Sequence, residues 1–324
     1  MRRPIFHLAL CAWLFGFGSA AQAQRLENYR IGVIYPGGPF SGVVEGLRDG
    51  LKELGLEDGK QIRLEIRDSK GDVNAAKESA KSFERDKVNV VYAVAMSVVV
   101  AAKESTSHVP VVFVVGTDPI RSQLIQSFAK PGGRLTGVYY LASDLTPKRL
   151  EILKEIVPRL RKVVTFYNPH NPVSIEAAKL GREAARQMKL QFIEQHATSV
   201  DELRQGFQNM KPGDADAFFY VSDAWITSQA GIVIEESLVK KLPTMFQEQS
   251  LVAAGGLASY GQNYHEIGRM SAKHVQKILT GTRPQDLRVE TADKFEMALN
   301  LKTAKHIGLT IQPSLLARAD RVIR

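Results

Sequence analysis

The 324-residue chain carries 43 Lys and Arg against 34 Asp and Glu, a formal net charge of +9, and 44% of its residues are hydrophobic. The basic residues are interleaved with acids along helical stretches (Arg48, Asp49, Lys52, Glu53; Lys179, Arg182, Glu183, Arg186) and form no block with aromatics among them. That pattern reads as a solvated surface and not as a nucleic-acid interface. A single cysteine, Cys11, excludes an internal disulfide framework and a cysteine-rich metal site.

The first element is a secretory signal over residues 1–23, with a basic start at Arg2 and Arg3, an apolar run from Ile5 to Phe17, and small residues ending at Ala21-Gln22-Ala23. The run is shorter than the roughly 20 residues that span a bilayer. Cleavage is expected between Ala23 and Gln24, which places the mature protein in the periplasm. It removes Cys11 and Trp13, leaves Trp225 as the remaining tryptophan, and lowers the charge to +7 because Arg2 and Arg3 depart with no acid. About 300 residues remain, more than one hydrophobic core ordinarily serves, so two lobes are expected.

Short β-branched runs then alternate with amphipathic segments, the pattern of a parallel sheet covered by helices. Strands are expected at Arg30–Tyr35, Ile62–Arg67, Val88–Val94 and Val109–Val115, then at Lys162–Tyr167, Leu190–Glu194, Ala217–Val221 and Pro243–Phe246. Helix starts are signalled by Thr146-Pro147, by Asn171-Pro172, and by a capping box at Ser199 and Glu202. The two sets of four repeat each other. Arg30–Pro36 matches Lys162–Pro169, Val91–Ser97 matches Phe218–Asp223, and His108–Phe113 matches Lys241–Phe246. A duplicated α/β unit, joined near Gly137–Asp144, accounts for this.

In an open parallel sheet, ligands meet the loops beyond the carboxyl ends of the strands, where helix N-termini offer free N–H groups. Two lobes facing each other with those edges enclose a cleft. The candidate ligand residues are therefore Tyr35, Phe40, Ser41, Met96, Ser97, Thr117 and Asp118 on one side, with Asn168, Ser222, Asp223, Trp225 and Glu248 on the other. Ser97 either caps its helix or offers a hydroxyl to a carboxylate. Asp223 either caps a helix or pairs with a ligand ammonium. Tyr35, Phe40 and Trp225 suit an apolar wall.

Enzymatic motifs are not recognisable. Gly37-Gly38-Pro39-Phe40-Ser41-Gly42 lacks dinucleotide spacing, and Leu257-Ala258-Ser259-Tyr260-Gly261 lacks the first glycine of a nucleophile elbow. The histidines fall in no metal-ligand spacing, so no catalytic residue, metal or cofactor is expected. An exported α/β enzyme is the weaker alternative.

Several motifs in order resemble the ABC-transporter substrate-binding proteins that include tryptophan- and tyrosine-binding members. They are Val109–Phe113, Thr117-Asp118-Pro119, Pro131–Val138, Lys148–Pro158, Tyr167–Pro172, Ser259-Tyr260-Gly261 with Tyr264, Lys277–Gly281 and Asn300–Ile311. The resemblance implies a type I periplasmic binding fold of two Rossmann-like lobes joined by three hinge strands. It further implies a small-molecule ligand held by hinge closure, such as an aromatic or branched amino acid or related carboxylate. Delivery would be to an inner-membrane ABC permease with its cytoplasmic ATPase. It adds Tyr260 to the candidate ligand residues, and a monomer is expected. Lobe one is implied over 24–141 and 262–284, and lobe two over 146–258 and 290–324, with hinges near 141–146, 258–262 and 284–290. Met96-Ser97 departs from the family's common Thr-Pro in the ligand loop, so no one amino acid is implied. A sensor that signals to a receptor shares the same architecture.

Overall fold

The computed structural model describes residues 29–324; the expected signal peptide lies outside them. Among the described residues there are thirteen strands: β1 Tyr29–Tyr35, β2 Ile62–Asp68, β3 Val90–Val94, β4 Val111–Val115, β5 Leu135–Tyr140, β6 Lys162–Tyr167, β7 Gln191–His196, β8 Ala217–Phe219, β9 Thr244–Phe246, β10 Ala258–Gly261, β11 Glu290–Ala292, β12 Glu296–Asn300 and β13 Arg321–Ile323. They form two sheets, ordered β11-β5-β4-β3-β1-β2 and β13-β12-β10-β9-β8-β6-β7. Every pairing is parallel except β10 with β12. Each sheet with its covering helices forms a lobe, and each has an apolar cluster on both faces. That two-sided burial is why Val90–Val94 and Val111–Val115 are unbroken apolar runs with every residue buried.

All eight expected strands are present. The duplication extends to topology, since β2-β1-β3-β4-β5 and β7-β6-β8-β9-β10 share one doubly wound order. In that order the crossover direction reverses between β1 and β3, and again between β6 and β8. The loops leaving these four strands therefore border the crevice.

The chain passes between the sheets three times: after β5, between β10 and the helix Tyr264–Leu279, and between β11 and β12. The third passage differs from the expected 284–290. Glu290–Ala292 first pairs with Val138–Tyr140 as an edge strand of the first sheet, so the crossing falls at Asp293–Phe295. The presumed joint Gly137–Asp144 likewise begins inside β5.

The helix Tyr264–Leu279 returns to the first lobe and lies against the helix Ser41–Glu53. Glycines set the distance: a Cβ on Gly268 would sit 2.0 Å from the Val43 carbonyl oxygen, and one on Gly46 would sit 1.9 Å from that of His265. Two helix starts follow the sequence signals, with Asn171 accepting from the Val173 N–H at 3.0 Å and Ser199 from Glu202 at 3.2 Å. A third is displaced. Leu145 is the cap residue before Thr146–Ile156, and the Thr146 hydroxyl instead receives Arg149 at 3.2 Å.

Candidate ligand-binding cleft

The four switch-point loops converge on a small chamber of about 30 Å³. The first lobe contributes Phe40 from the loop after β1, Ala95, Met96 and Ser97 after β3, and Thr117 after β4. The second lobe contributes Asn171 and Val173 after β6, Ser222 and Asp223 after β8, and Gln247 after β9. Its aromatic walls are Phe40, Tyr140 and Tyr220. Phe40 stacks on Tyr264 at 5.2 Å, and Tyr140 meets the same ring edge-on at 5.6 Å. Burial pushes the Tyr140 hydroxyl up to about 12 and raises that of Tyr220 as well, so both are neutral donors and acceptors.

The helix Met96–Ser105 points its N-terminus at this chamber without a capping side chain. Its N-cap is Ala95, at φ 74°, in the left-handed region that L-residues other than Gly, Asn and Asp rarely occupy. The conformation costs about 1–3 kcal/mol. It is held by the Ala95 N–H bonding to Val114 and its carbonyl receiving Val99. Ser97 is thus a first-turn residue and not the cap, which leaves its hydroxyl on the chamber wall beside free N–H groups carrying the positive end of the helix dipole.

Across the chamber stands Asp223, 1% exposed. One carboxylate oxygen accepts the Ile226 N–H at 3.0 Å, capping the helix Ala224–Ser228, and the other accepts the Asn168 N–H at 2.8 Å. The cap role is therefore real, and the same side chain also lines the chamber. Burial raises its carboxyl above the ordinary 3.8, opposed by the N–H bonds. Thr117 Oγ1, Ser222 Oγ and Gln247 Oε1 are buried atoms that line the chamber with no partner in the protein. Such groups are costly unless something satisfies them.

The chamber opens into a cleft of about 1090 Å³. Met96, Ser97, Thr117, Asp118, Asn168 and Trp225 line it, with one face of the helix Pro172–Gln187. At its inner edge the lobes touch directly. The turn Gly38–Phe40 packs on the helix Ala224–Ser228, and a Cβ on Gly71 would lie 2.9 Å from both Cα and Cδ1 of Trp225.

Nine of the thirteen sequence candidates thus surround the chamber or cleft, and the structure places four elsewhere. Tyr35 is half-buried against the first lobe's core. Ser41 is exposed at the start of its helix. Glu248 is buried, capping the helix Gln249–Ala253 through the Ser250 N–H at 2.7 Å, and burial raises its carboxyl. Tyr260 lies within β10 and packs on Phe295, in the third passage between the sheets, at 6.0 Å.

The sequence did not single out Gln247, Tyr140 or Tyr220 as wall residues. Nor did it single out Arg149, which is fully buried, with Nη2 on the Ala142 carbonyl at 2.7 Å and Nε and Nη1 without partners. Burial lowers its guanidinium to about 10, opposed by the phenols of Tyr220, Tyr264 and Tyr140, so it remains a cation at neutral pH. Among the described residues no cluster of three or more His, Cys, Asp or Glu suits a metal ion, and no helix is long and apolar enough to cross a membrane.

Comparison with known proteins points the same way. A curated relative, the tyrosine-binding protein of Clostridioides difficile, is 26% identical over 266 residues, covering 82% of this chain and 76% of the relative. The ABC domain of Streptococcus pneumonia in complex with L-Trp superposes with a TM-score of 0.83 at 25% identity, covering 91% of this chain and all of that one. A ligand-free, open substrate-binding protein with adhesive properties from Clostridium difficile gives 0.63 at 24% identity, covering 91% and 99%. The two-sheet α/β architecture is that of type I periplasmic binding proteins. The family profile described as ABC transporter substrate binding protein matches residues 32–323. The chain belongs to that family.

Proposed function

We propose that the protein binds an α-amino acid with a mainly apolar side chain between its lobes and presents it, from the periplasm and as a monomer, to an ABC permease with its ATPase. One observation carries the reading: the uncapped N-terminus of Met96–Ser105 and the buried carboxylate of Asp223 line one small chamber from opposite lobes. The helix end, with Ser97 and Thr117, suits a carboxylate. Asp223, with Gln247 Oε1, suits an ammonium. The apolar cleft receives the side chain. The tyrosine and L-Trp named for two relatives agree with this assignment.

A ligand that contacts both lobes favours the closed arrangement by its differential affinity for it, and the three passages between sheets are the natural hinge. The overall shape is nearer the L-Trp complex than the open, ligand-free relative, which fits a closed form.

Closure requires Gly71. Gly71→Val should weaken amino-acid binding about tenfold or more and reduce the ligand-induced change in Trp225 fluorescence, because the added carbons meet Trp225 only when the lobes close. The strain at φ 78° burdens open and closed forms alike, so the affinity difference reports the contact. Unchanged affinity would remove Gly71 from the closing surface.

The proposal itself is tested by calorimetric titration of the protein lacking residues 1–23, unfolded and refolded to remove carried ligand, with L-tyrosine, L-tryptophan and L-leucine. Micromolar or tighter binding of at least one, about −8 kcal/mol, is expected.

A further inference from the structure

The chamber and the cleft differ too much in size for an amino acid with a short side chain to fill both. About 30 Å³ accommodates a head group of a few atoms, whereas the cleft beyond it holds about 1090 Å³. The cleft is directional. Val173, Ala177, Leu180, Ala184 and Gln187 all line it, at spacings of three and four residues that form one stripe down the helix Pro172–Gln187. From Val173 to Gln187 the stripe runs about 21 Å, at roughly 1.5 Å per residue.

Val173 lines the chamber too, so the groove leads straight out of the head-group site. Met96, Val100 and Tyr139 face the stripe from the first lobe. Ser97, Thr117, Asp118, Asn168 and His170 line the end nearest the chamber, so the apolar contact comes from the stripe and the side chains facing it. The rim carries Glu176, Glu183 and Asp144, but Glu176 pairs with Lys179 at 3.6 Å, Glu183 pairs with Arg186 at 2.7 Å, and Arg121 is 3.6 Å from Asp118, so the rim has little net charge. A single aromatic ring attached to a head group in the chamber covers only the first turns of this stripe.

We propose that the ligand is an α-amino acid with an extended side chain, apolar along its length, lying along the groove from Val173 towards Gln187. This rests on the head-group assignment above. Apolar contact along the stripe contributes about 25 cal/mol per Å² removed from water, so affinity should grow with chain length until the groove is filled.

The test compares probes that share one head. Nε-octanoyl-L-lysine and Nε-acetyl-L-lysine differ only in reach, and calorimetry of the protein lacking residues 1–23 should find the octanoyl compound at least tenfold tighter. Leu180 is half-buried on the stripe and outside the apolar clusters of its lobe, so Leu180→Trp narrows the groove without opening the core. It should abolish the octanoyl advantage. Equal affinities for the two lysines in the unaltered protein, or an octanoyl advantage that survives Leu180→Trp, would overturn the proposal. Binding of tyrosine or tryptophan with no binding of either lysine would also overturn it, while leaving the amino-acid reading intact. If no amino acid binds, both fall together.

Discussion

Asp223→Asn should lower amino-acid affinity about a hundredfold, or about 2.8 kcal/mol at 1.4 kcal/mol per tenfold, while leaving the protein folded. Asparagine is as good an N-cap as aspartate, so it can keep the bond from the Ile226 N–H. What it loses is the charge, and a hydrogen bond to an ionised group contributes about 1.5–3 kcal/mol. A substitution that shifts the melting temperature and leaves affinity unchanged would mean that Asp223 serves only its helix and Asn168.

The same residue sets a pH dependence. Burial holds its free-state pKa above 3.8, so falling pH protonates it sooner than an exposed aspartate. A ligand ammonium requires the carboxylate and pulls that pKa back down. Affinity should therefore decline as pH falls through the raised pKa, with protons released on binding in that window. Calorimetry in buffers of different ionisation enthalpy measures the release, and Asp223→Asn should abolish it. As to stability, the raised pKa means the folded state binds this proton more tightly than the unfolded chain. The charged buried form therefore costs stability above 3.8, a cost that protonation relieves as pH falls.

The largest loss of stability should come from Gly268→Val. A Cβ there meets the Val43 carbonyl at 2.0 Å and the Leu47 nitrogen at 2.8 Å, both backbone atoms of the opposing helix. No rotamer relieves such a contact, so the two helices must separate along their length. The helix Tyr264–Leu279 contributes Tyr264, Ile267, Ala272 and Val275 to the core cluster beneath. Separation exposes them, and the expected cost is about 3 kcal/mol or more, at the upper end for overpacked sites. Thermal denaturation should show a fall in Tm of roughly 10 °C. A Tm within a degree or two of the parent would mean that the helices do not pack this closely.

Which elements the sequence revealed follows from where their stabilising contacts come from. Val90–Val94 and Val111–Val115 are buried on both faces and announce themselves by composition. Ala258–Gly261 and Glu290–Ala292 are three or four residues long with little β-branched content, and Arg321–Ile323 is only three residues long, so these become strands only because distant partners lie beside them. The third passage between lobes was misplaced for that reason.

The cleft was legible because topology alone names the loops that border it. Which residue of each loop faces inward was less so. Gln247 lines the chamber while its neighbour Glu248 turns to Ser250, a choice made by the start of a five-residue helix. Ser97 reads as a cap in the sequence, but the positive φ of Ala95 makes it the N-cap and starts the helix two residues earlier than serine capping requires. Arg149 sits on a helix where arginine ordinarily reads as surface, and its burial depends on the loop Ala142–Thr146 and three tyrosines from elsewhere in the chain.

The central claim is that the chamber recognises an ammonium and a carboxylate on one molecule, and the most direct test is calorimetry with head-group analogues. L-Tyrosine, or whichever amino acid binds best, is compared with the matching amine that lacks the carboxylate and the matching acid that lacks the amine. The account predicts that each analogue binds at least a hundredfold more weakly than the parent, with the amine-less acid insensitive to Asp223→Asn. Equal binding of either analogue and the parent would contradict it.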